Sequence, residues 1–257
     1  MARNAIKVLQ DKGNSSHILI KGTNTATINA IRRVSMSEVP ILAIEELGIY
    51  ENNGVLFDEF LGHRMGLIPV KMDSKSYKMG DKSKFSMDIS GPGTVYSSEI
   101  KFSDSAITVM DPKIPLTKLK ADQRIRMEGE AVVGQGKDHV KFQPCVIGYR
   151  ALPVFKIQDD IPVEMMNKIA ASCPVNIIEV KGKKLNITQE ADCTLCGACE
   201  ETGGQYIQVD ADDTGFILMM ETTGALSNQE ILHQACEILH QKTTDFIEQL
   251  KEGLSEK

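Results

Sequence analysis

The stretch from Asn24 to Val70 constrains the fold more than any other, because cap residues and a proline cut it into a helix, a strand and a second helix. Thr23 or Asn24 can accept a hydrogen bond from an orphan N–H two or three residues on, which starts the first helix. Ile28, Ile31 and Val34 follow at helical spacing with Ala30 beside them, so one face is apolar. Pro40 ends that helix, since the residue before a proline is pushed out of the α region. Ile41 to Tyr50 reads as a largely buried strand, and the second helix runs into the turn at Leu67-Ile-Pro-Val. Periodicity alone reaches no further than an amphipathic helix packed on a sheet.

The chain has 257 residues, enough for one large domain or two to three small ones, and its net charge of −6 matters for function. A surface devoted to nucleic acid needs clustered Lys and Arg, which this balance does not favour. The first ten residues hold no apolar signal core and no later run is long enough to span a bilayer, so a cytoplasmic location is expected. In that reducing compartment six cysteines are ligands or free thiols rather than disulfides.

Two blocks carry a resemblance. Asn29-Ala-Ile-Arg-Arg-Val-x-Met-x-x-Val-Pro, followed by His63-Arg-Met-Gly-Leu-Ile-Pro, resembles the alpha-like assembly subunit of cellular RNA polymerases. The archaeal member of that family, known as D, stands beside eukaryotic and bacterial alpha counterparts. A third block, Gly134-Gln-Gly-Lys-Asp-His-Val-Lys-Phe-Gln-Pro144, is similar to the family's Gly-x-Gly-Lys-x-His-Ala-Lys-Trp-x-Pro segment, with Val140 and Phe142 as apolar replacements. Without the family, Gly-x-Gly-Lys could be taken for a phosphate loop. It lacks the four-residue glycine spacing and the Ser or Thr after Lys that such a loop needs.

Residues 5–21 read as two strands around Gly13-Asn14-Ser15, and Lys71 to Lys84, with five lysines, as a solvated surface loop. Phe85 to Tyr149 holds short alternating segments between Gly, Pro and Asp turns, the pattern of an antiparallel β-rich unit. The expected strands are Phe85–Ile89, Ser98–Phe102, Ala106–Met110 and Arg124–Val133. Two further strands are expected at Tyr206–Asp210 and Phe216–Gly224. Ser227-Asn-Gln-Glu230 is a capping box that opens a helix of about 24 residues, roughly 36 Å at helical rise. Leu232, Ala235, Leu239, Thr243, Phe246 and Leu250 lie along one face of it, flanked by Ile231, Ile238 and Ile247. Such a stripe can pack within the chain or against another.

Ile161 to Gly204 carries the strongest chemical motif. Cys193, Cys196 and Cys199 form Cys-x2-Cys-x2-Cys, and Cys173-Pro174 precedes them. Two-cluster ferredoxins use Cys-x2-Cys-x2-Cys-x3-Cys-Pro, whose fourth cysteine ligates the other cluster. Here that run occurs twice in degenerate form. Val163, Met166, Ile169 and Gly203 stand at the lost positions of one cluster, and the four surviving cysteines are the full set for the other. The expectation is one iron–sulfur cluster, [4Fe-4S] or, if Cys173 is too distant, [3Fe-4S]. Zinc and empty thiols or disulfides are the alternatives, although zinc prefers two separated Cys-x2-Cys pairs. A cluster here would act as a folding staple, because closing a small domain on a metal turns binding energy into folding energy. Cys145 and Cys236 read as packing thiols.

The five histidines show no metal-ligand or triad spacing, and no Asp-rich magnesium motif appears, so no catalytic residue is expected. The fold class is α+β in three parts. An assembly domain (1–47 with 216–257) is split by a β-rich insert (48–157 and 205–215), which carries a ferredoxin-like unit (158–204). The resemblance implies a non-catalytic subunit that pairs with the small subunit L, joins subunits N and P, and supports the second-largest catalytic subunit. Ile28, Ile31, Leu232, Leu239, Phe246 and Leu250 are then the dimer-helix candidates, and Arg32 and Arg33 the candidates for the large subunit. A ferredoxin-like electron carrier is the rival reading.

Overall fold

The computed structural model describes residues 5–73 and 76–255; Lys75 of the lysine-rich loop lies outside the described residues. In chain order the elements begin with β1 (Ala5–Lys12), β2 (Ser15–Lys21), α1 (Thr25–Ser37), β3 (Ile41–Asn52), α2 (Asp58–Gly66) and β4 (Val70–Lys71). There follow β5 (Lys82–Ser90), β6 (Gly93–Tyr96), β7 (Lys101–Phe102), β8 (Thr108–Val109), β9 (Pro115–Leu119) and β10 (Arg124–Gly134). The chain ends with β11 (Cys145–Ile157), α3 (Val163–Ser172), β12 (Ile178–Lys181), β13 (Lys184–Ile187), α4 (Ala198–Gly203), β14 (Ile207–Thr222) and α5 (Asn228–Ser255).

Of the two candidate caps, Asn24 starts α1: its Oδ1 accepts from the Thr27 N–H at 2.9 Å. At the other end the Val34 carbonyl takes the N–H groups of both Glu38 and Val39, so the helix closes just ahead of Pro40.

The chain divides into two compact units. One comprises the chain through Gln10, His17–Asn29 and Gly148–Met219. It contains most of a four-stranded sheet in the order β1-β2-β14-β11, with α3, the β12–β13 hairpin and α4 between β11 and β14. Its core gathers Met166, Ile169, Ile177, Ile178, Leu185 and Ile207 together with Cys173, Cys193 and Cys199. The β12–β13 hairpin turns on two residues, and Gly182 takes the left-handed conformation (φ +65°) that such turns require. Where two strands are expected after Gly204, one 16-residue strand is found. Asp212 bridges the polar gap, accepting from the Thr214 backbone N–H and hydroxyl at 2.8 and 2.9 Å.

The other unit comprises Asp11–Ser16, Ala30–Ile147 and the chain from Met220. Its main sheet runs β3-β10-β5-β7, with β10 antiparallel to both neighbours. Ser83, Phe85 and Met87 alternate inward along β5, the period of a strand with one covered face. Phe85 and Met87 join Leu42, Ile44, Met127, Val133 and the α2 residues Leu61 and Met65 in one core. Gly129 permits the close approach of β3 to β10, since a Cβ there would stand 2.2 Å from the Glu46 carbonyl oxygen.

Two of the expected strands shrink. Ser98–Phe102 is a strand only at Lys101–Phe102, and Ala106–Met110 only at Thr108–Val109. Ser97 opens a 3-10 turn instead, its hydroxyl donating to the Asp111 carbonyl and accepting from the Ile114 N–H, so a side chain takes over bonds that a ladder would make. The strands β6 and β9, which the sequence pattern does not reveal, pair with each other and begin at a glycine and a proline. The capping box forms as expected: the Glu230 carboxylate accepts from the Ser227 N–H at 2.9 Å, while the Glu230 N–H donates back to the Ser227 hydroxyl at 3.3 Å. The helix it opens has 28 residues, about four more than expected.

Candidate functional site

Four cysteines converge in the first unit. Cys173 follows the last turn of α3, where its N–H donates to the Ala170 carbonyl. Cys193 follows a 3-10 turn at Glu190–Asp192, and Cys199 lies in the first turn of α4. Between them the chain takes left-handed conformations at Leu195 (φ +55°) and Gly197 (φ +77°). A non-glycine residue rarely adopts that state, and turns of this kind make concavities of inward N–H groups that suit anions. Here the Leu195 N–H donates to the Cys193 sulfur at 3.4 Å.

Cys173, Cys193, Cys196 and Cys199 line one small cavity, with Phe155, Ile177, Ile178 and Val209 supplying apolar wall. Cys196 is exposed and the other three are buried. Burial pushes the Cys193 thiol above its ordinary pKa, and the neighbouring Cys196 and Cys173 act in the same direction. Cys199 is raised by burial first and by Cys193 second. Burial thus disfavours the thiolate at both Cys193 and Cys199. Among the described residues no group of three or more His, Cys, Asp or Glu is spaced to hold a single metal ion. A tetrahedral ion with sulfur ligands at about 2.3 Å would draw thiolates to about 3.8 Å of one another. The soft four-thiol set instead surrounds a space.

The positions that the sequence pattern reads as lost ligands are mostly filled. Met166 and Ile169 are buried, and a Cβ on Gly203 would meet Ile207 and Ile169 at 2.6 and 2.8 Å. Val163 is the exception to the expected filling: at the start of α3 it is 55% exposed.

The expected partner residues separate along their helices. Ile28 is 0% exposed, a core position of the single chain. Ile31, Leu232 and Leu239 are half-buried, whereas Phe246 is 64% and Leu250 51% exposed, with Ile247 and Leu254 beside them. Ile231 and Ala235 are buried, so the first half of α5 packs within the chain and the second half presents apolar side chains outward. Arg33 is exposed on α1; Arg32 is half-buried, and its guanidinium reaches the Met36 sulfur at 3.8 Å. Cys145 is a packing thiol as expected, its Sγ donating to the Ser35 carbonyl at 3.8 Å, but Cys236 is exposed on α5.

The three blocks that carry the resemblance meet in the second unit. Gly62, His63, Gly66 and Leu67 share a shallow cavity with His139, Lys141, Ile44 and Glu45. Lys141, the second lysine of the third block, ties it together: its Nζ donates to the Ile44 carbonyl at 3.0 Å and pairs with the Glu45 carboxylate. His139 Nδ1 accepts from the Lys141 N–H at 3.1 Å, a structural use of that imidazole. The glycine-rich segment closes on the end of α1, where the Lys137 N–H donates to the Ser37 carbonyl at 2.9 Å. A Cβ on Gly136 would lie 2.2 Å from the Met36 carbonyl oxygen, so only glycine fits.

No helix among the described residues is long and apolar enough to cross a membrane. The family described as RNA polymerase Rpb3/Rpb11 dimerisation domain matches residues 17–243. The chain is 31% identical to the DNA-directed RNA polymerase subunit Rpo3 of Methanobrevibacter smithii, over 94% of this chain and 96% of that one. It is also 31% identical to the Rpo3 subunit of Methanosarcina acetivorans, with the same coverage. Against the Rpo3 subunit of Pyrococcus furiosus it is 31% identical over 98% of both chains.

Proposed function

The chain belongs to the RNA polymerase Rpb3/Rpb11 dimerisation-domain family, and from that premise we propose that it is a non-catalytic assembly subunit of a multisubunit DNA-directed RNA polymerase. The observation that carries this reading is the near full-length similarity to archaeal Rpo3 subunits. The electron-carrier reading accounts only for the cysteine segment, whereas the family match runs from residue 17 to 243.

In this reading the outward face of α5, with Phe246, Ile247, Leu250 and Leu254, docks the small subunit L. A row of exposed large apolar side chains on a terminal helix supports that use. Ile31, Leu232 and Leu239 border the same interface, subunits N and P join the heterodimer, and the second-largest subunit rests on it. Arg33 and Arg32 meet that subunit, a use that the exposure of Arg33 supports and the half-burial of Arg32 supports less. The functional division in this reading is 1–47 with 216–257 for assembly, 48–157 and 205–215 as the β-rich insert, and 158–204 as the ferredoxin-like unit.

Cys173, Cys193, Cys196 and Cys199 hold one iron–sulfur cluster, [4Fe-4S] by the count of four thiols, or [3Fe-4S] if one is not engaged. Three observations support it: the four thiols border one cavity, the Leu195 N–H points at a sulfur, and β11-α3-β12-β13-α4-β14 has the β-α-β-β-α-β order of ferredoxin-like units. The cluster, when bound, supplies cross-links among segments distant in sequence and so staples the small domain.

Co-expression with an archaeal subunit L tests the assembly reading. A stable one-to-one complex that F246D/L250D abolishes is expected; a wild-type chain that ignores L would end it. Iron near three or four per chain after anaerobic purification, lost in C196S, is the expected cluster result.

A further inference from the structure

A single guanidinium ties the cysteine loop to the sheet. Arg150 lies in β11, and its Nη1 donates to the carbonyl of Cys193 while its Nη2 donates to the carbonyl of Ala191. The Ala191 carbonyl belongs to the 3-10 turn that delivers Cys193 and the other carbonyl to Cys193 itself, backbone that no sheet ladder satisfies. Two parallel donors in a rigid plane can take both acceptors at once, which the single ammonium of a lysine cannot do in the same geometry. The Nε of Arg150 is buried and finds no partner. An orphaned buried donor is a cost, so stability of the sheet alone does not account for an arginine here.

The charge also falls at the site. The guanidinium meets the carbonyl of Cys193 itself, and the Leu195 N–H donates to the Cys193 sulfur at 3.4 Å. Glu200, next to Cys199 in the chain, carries the opposite charge. Its carboxylate is engaged by the Val209 N–H at 2.7 Å, which turns it partly toward the sheet.

We propose that Arg150 is the positioning residue of the cysteine site, fixing the Cys193–Cys199 loop in its ligating shape through the Ala191 and Cys193 carbonyls and placing a compensating positive charge behind an anionic cluster. The proposal rests on the reading that the four cysteines hold an iron–sulfur cluster. Cluster potentials follow net charge and the groups around the sulfurs, and outer partners of metal ligands tune affinity without touching the metal.

The test uses the full chain, purified and reconstituted with iron and sulfide without oxygen, as wild type, R150K, R150Q and R150A. Iron release to excess chelator should quicken about 10- to 100-fold in R150Q and R150A, the range for lost outer partners. The midpoint potential should move negative in R150Q, because removing the cation disfavours the added electron. R150K should keep the potential near that of wild type yet still release iron faster, since it retains charge without the fork. A merely structural role would not separate those two readouts. Unchanged release and potential in R150Q would overturn the proposal while leaving the cluster reading intact. If wild type takes up no iron, the cluster reading falls and the charge role falls with it. The positioning role is then decided by amide hydrogen exchange on the metal-free chain. Faster exchange over 190–199 in R150A upholds it, and unchanged exchange refutes it.

Discussion

Replacing Lys141 by methionine removes the ammonium but keeps most of the stem that crosses the shared cavity, so it isolates what the charge contributes. The Lys141 side chain is only 13% exposed, and its Nζ serves the Ile44 carbonyl at 3.0 Å. A hydrogen bond with a charged partner contributes about 1.5–3 kcal/mol. The Glu45 partner is 44% exposed, so solvent screens that ion pair to about 0.2–1 kcal/mol. The ammonium also stands 5.2 Å above the Phe142 ring, worth about 0.5 kcal/mol more. K141M should therefore lose about 2–4.5 kcal/mol, whereas E45Q should lose under about 1 kcal/mol. Urea denaturation followed by circular dichroism measures both, and the double variant gives their coupling. Added salt should weaken the Glu45 share and leave the carbonyl share in place. Equal losses in K141M and E45Q, or a K141M loss within about 0.5 kcal/mol of zero, would refute the assignment of Lys141 as the tie between β3 and the glycine-rich segment.

The remaining predictions concern other parts of the chain. G136A should destabilise by about 3 kcal/mol, the upper end for overpacking, because its Cβ would meet backbone at 2.2 Å rather than a side chain that can move; thermal melting checks it. F246D/L250D should abolish the heterodimer yet leave the unfolding of the free chain within about 0.5 kcal/mol of wild type, as befits exposed positions; sedimentation and melting together decide. Burial pushes the Cys145 thiol up to about 12, so iodoacetamide at neutral pH should label the exposed Cys236 and spare Cys145 until the chain unfolds, as peptide mass mapping would report. The Tyr77 phenol, hydrogen-bonded to the Asp104 carboxylate, is raised to about 12. A raised phenol stabilises the fold fully below its unfolded value near 10 and loses that contribution as pH climbs through 12, so Y77F should flatten the alkaline fall in stability.

Local chemistry was legible in the sequence. Asn24, Pro40 and the Ser227–Glu230 box act within three or four residues of themselves, and each does in the structure what its chemistry predicts. The Cys-x2-Cys-x2-Cys spacing likewise forces three thiols onto one loop, and Cys173 joins them at the same cavity. Features that depend on distant partners were not legible. Nothing in the residues flanking Arg150 tells that its guanidinium meets carbonyls 41 and 43 residues on. The paired strands β6 and β9 carry a glycine and a proline at their starts, signals that read as turns until the partner is known. The apolar stripe of α5 has one composition throughout, yet its first half is covered by the chain's own core and its second half is not. Ile28 fits a partner face by periodicity, but burial within the chain depends on what folds over it. Periodicity gives a face and leaves open what covers it.

The central claim, that this chain is an assembly subunit of RNA polymerase, is tested most directly by recovering it tagged from its own cells without oxygen. The eluate should contain the large polymerase subunits in near-stoichiometric amounts and should synthesise RNA from a DNA template. A chain recovered in quantity with neither the large subunits nor templated synthesis would contradict the account.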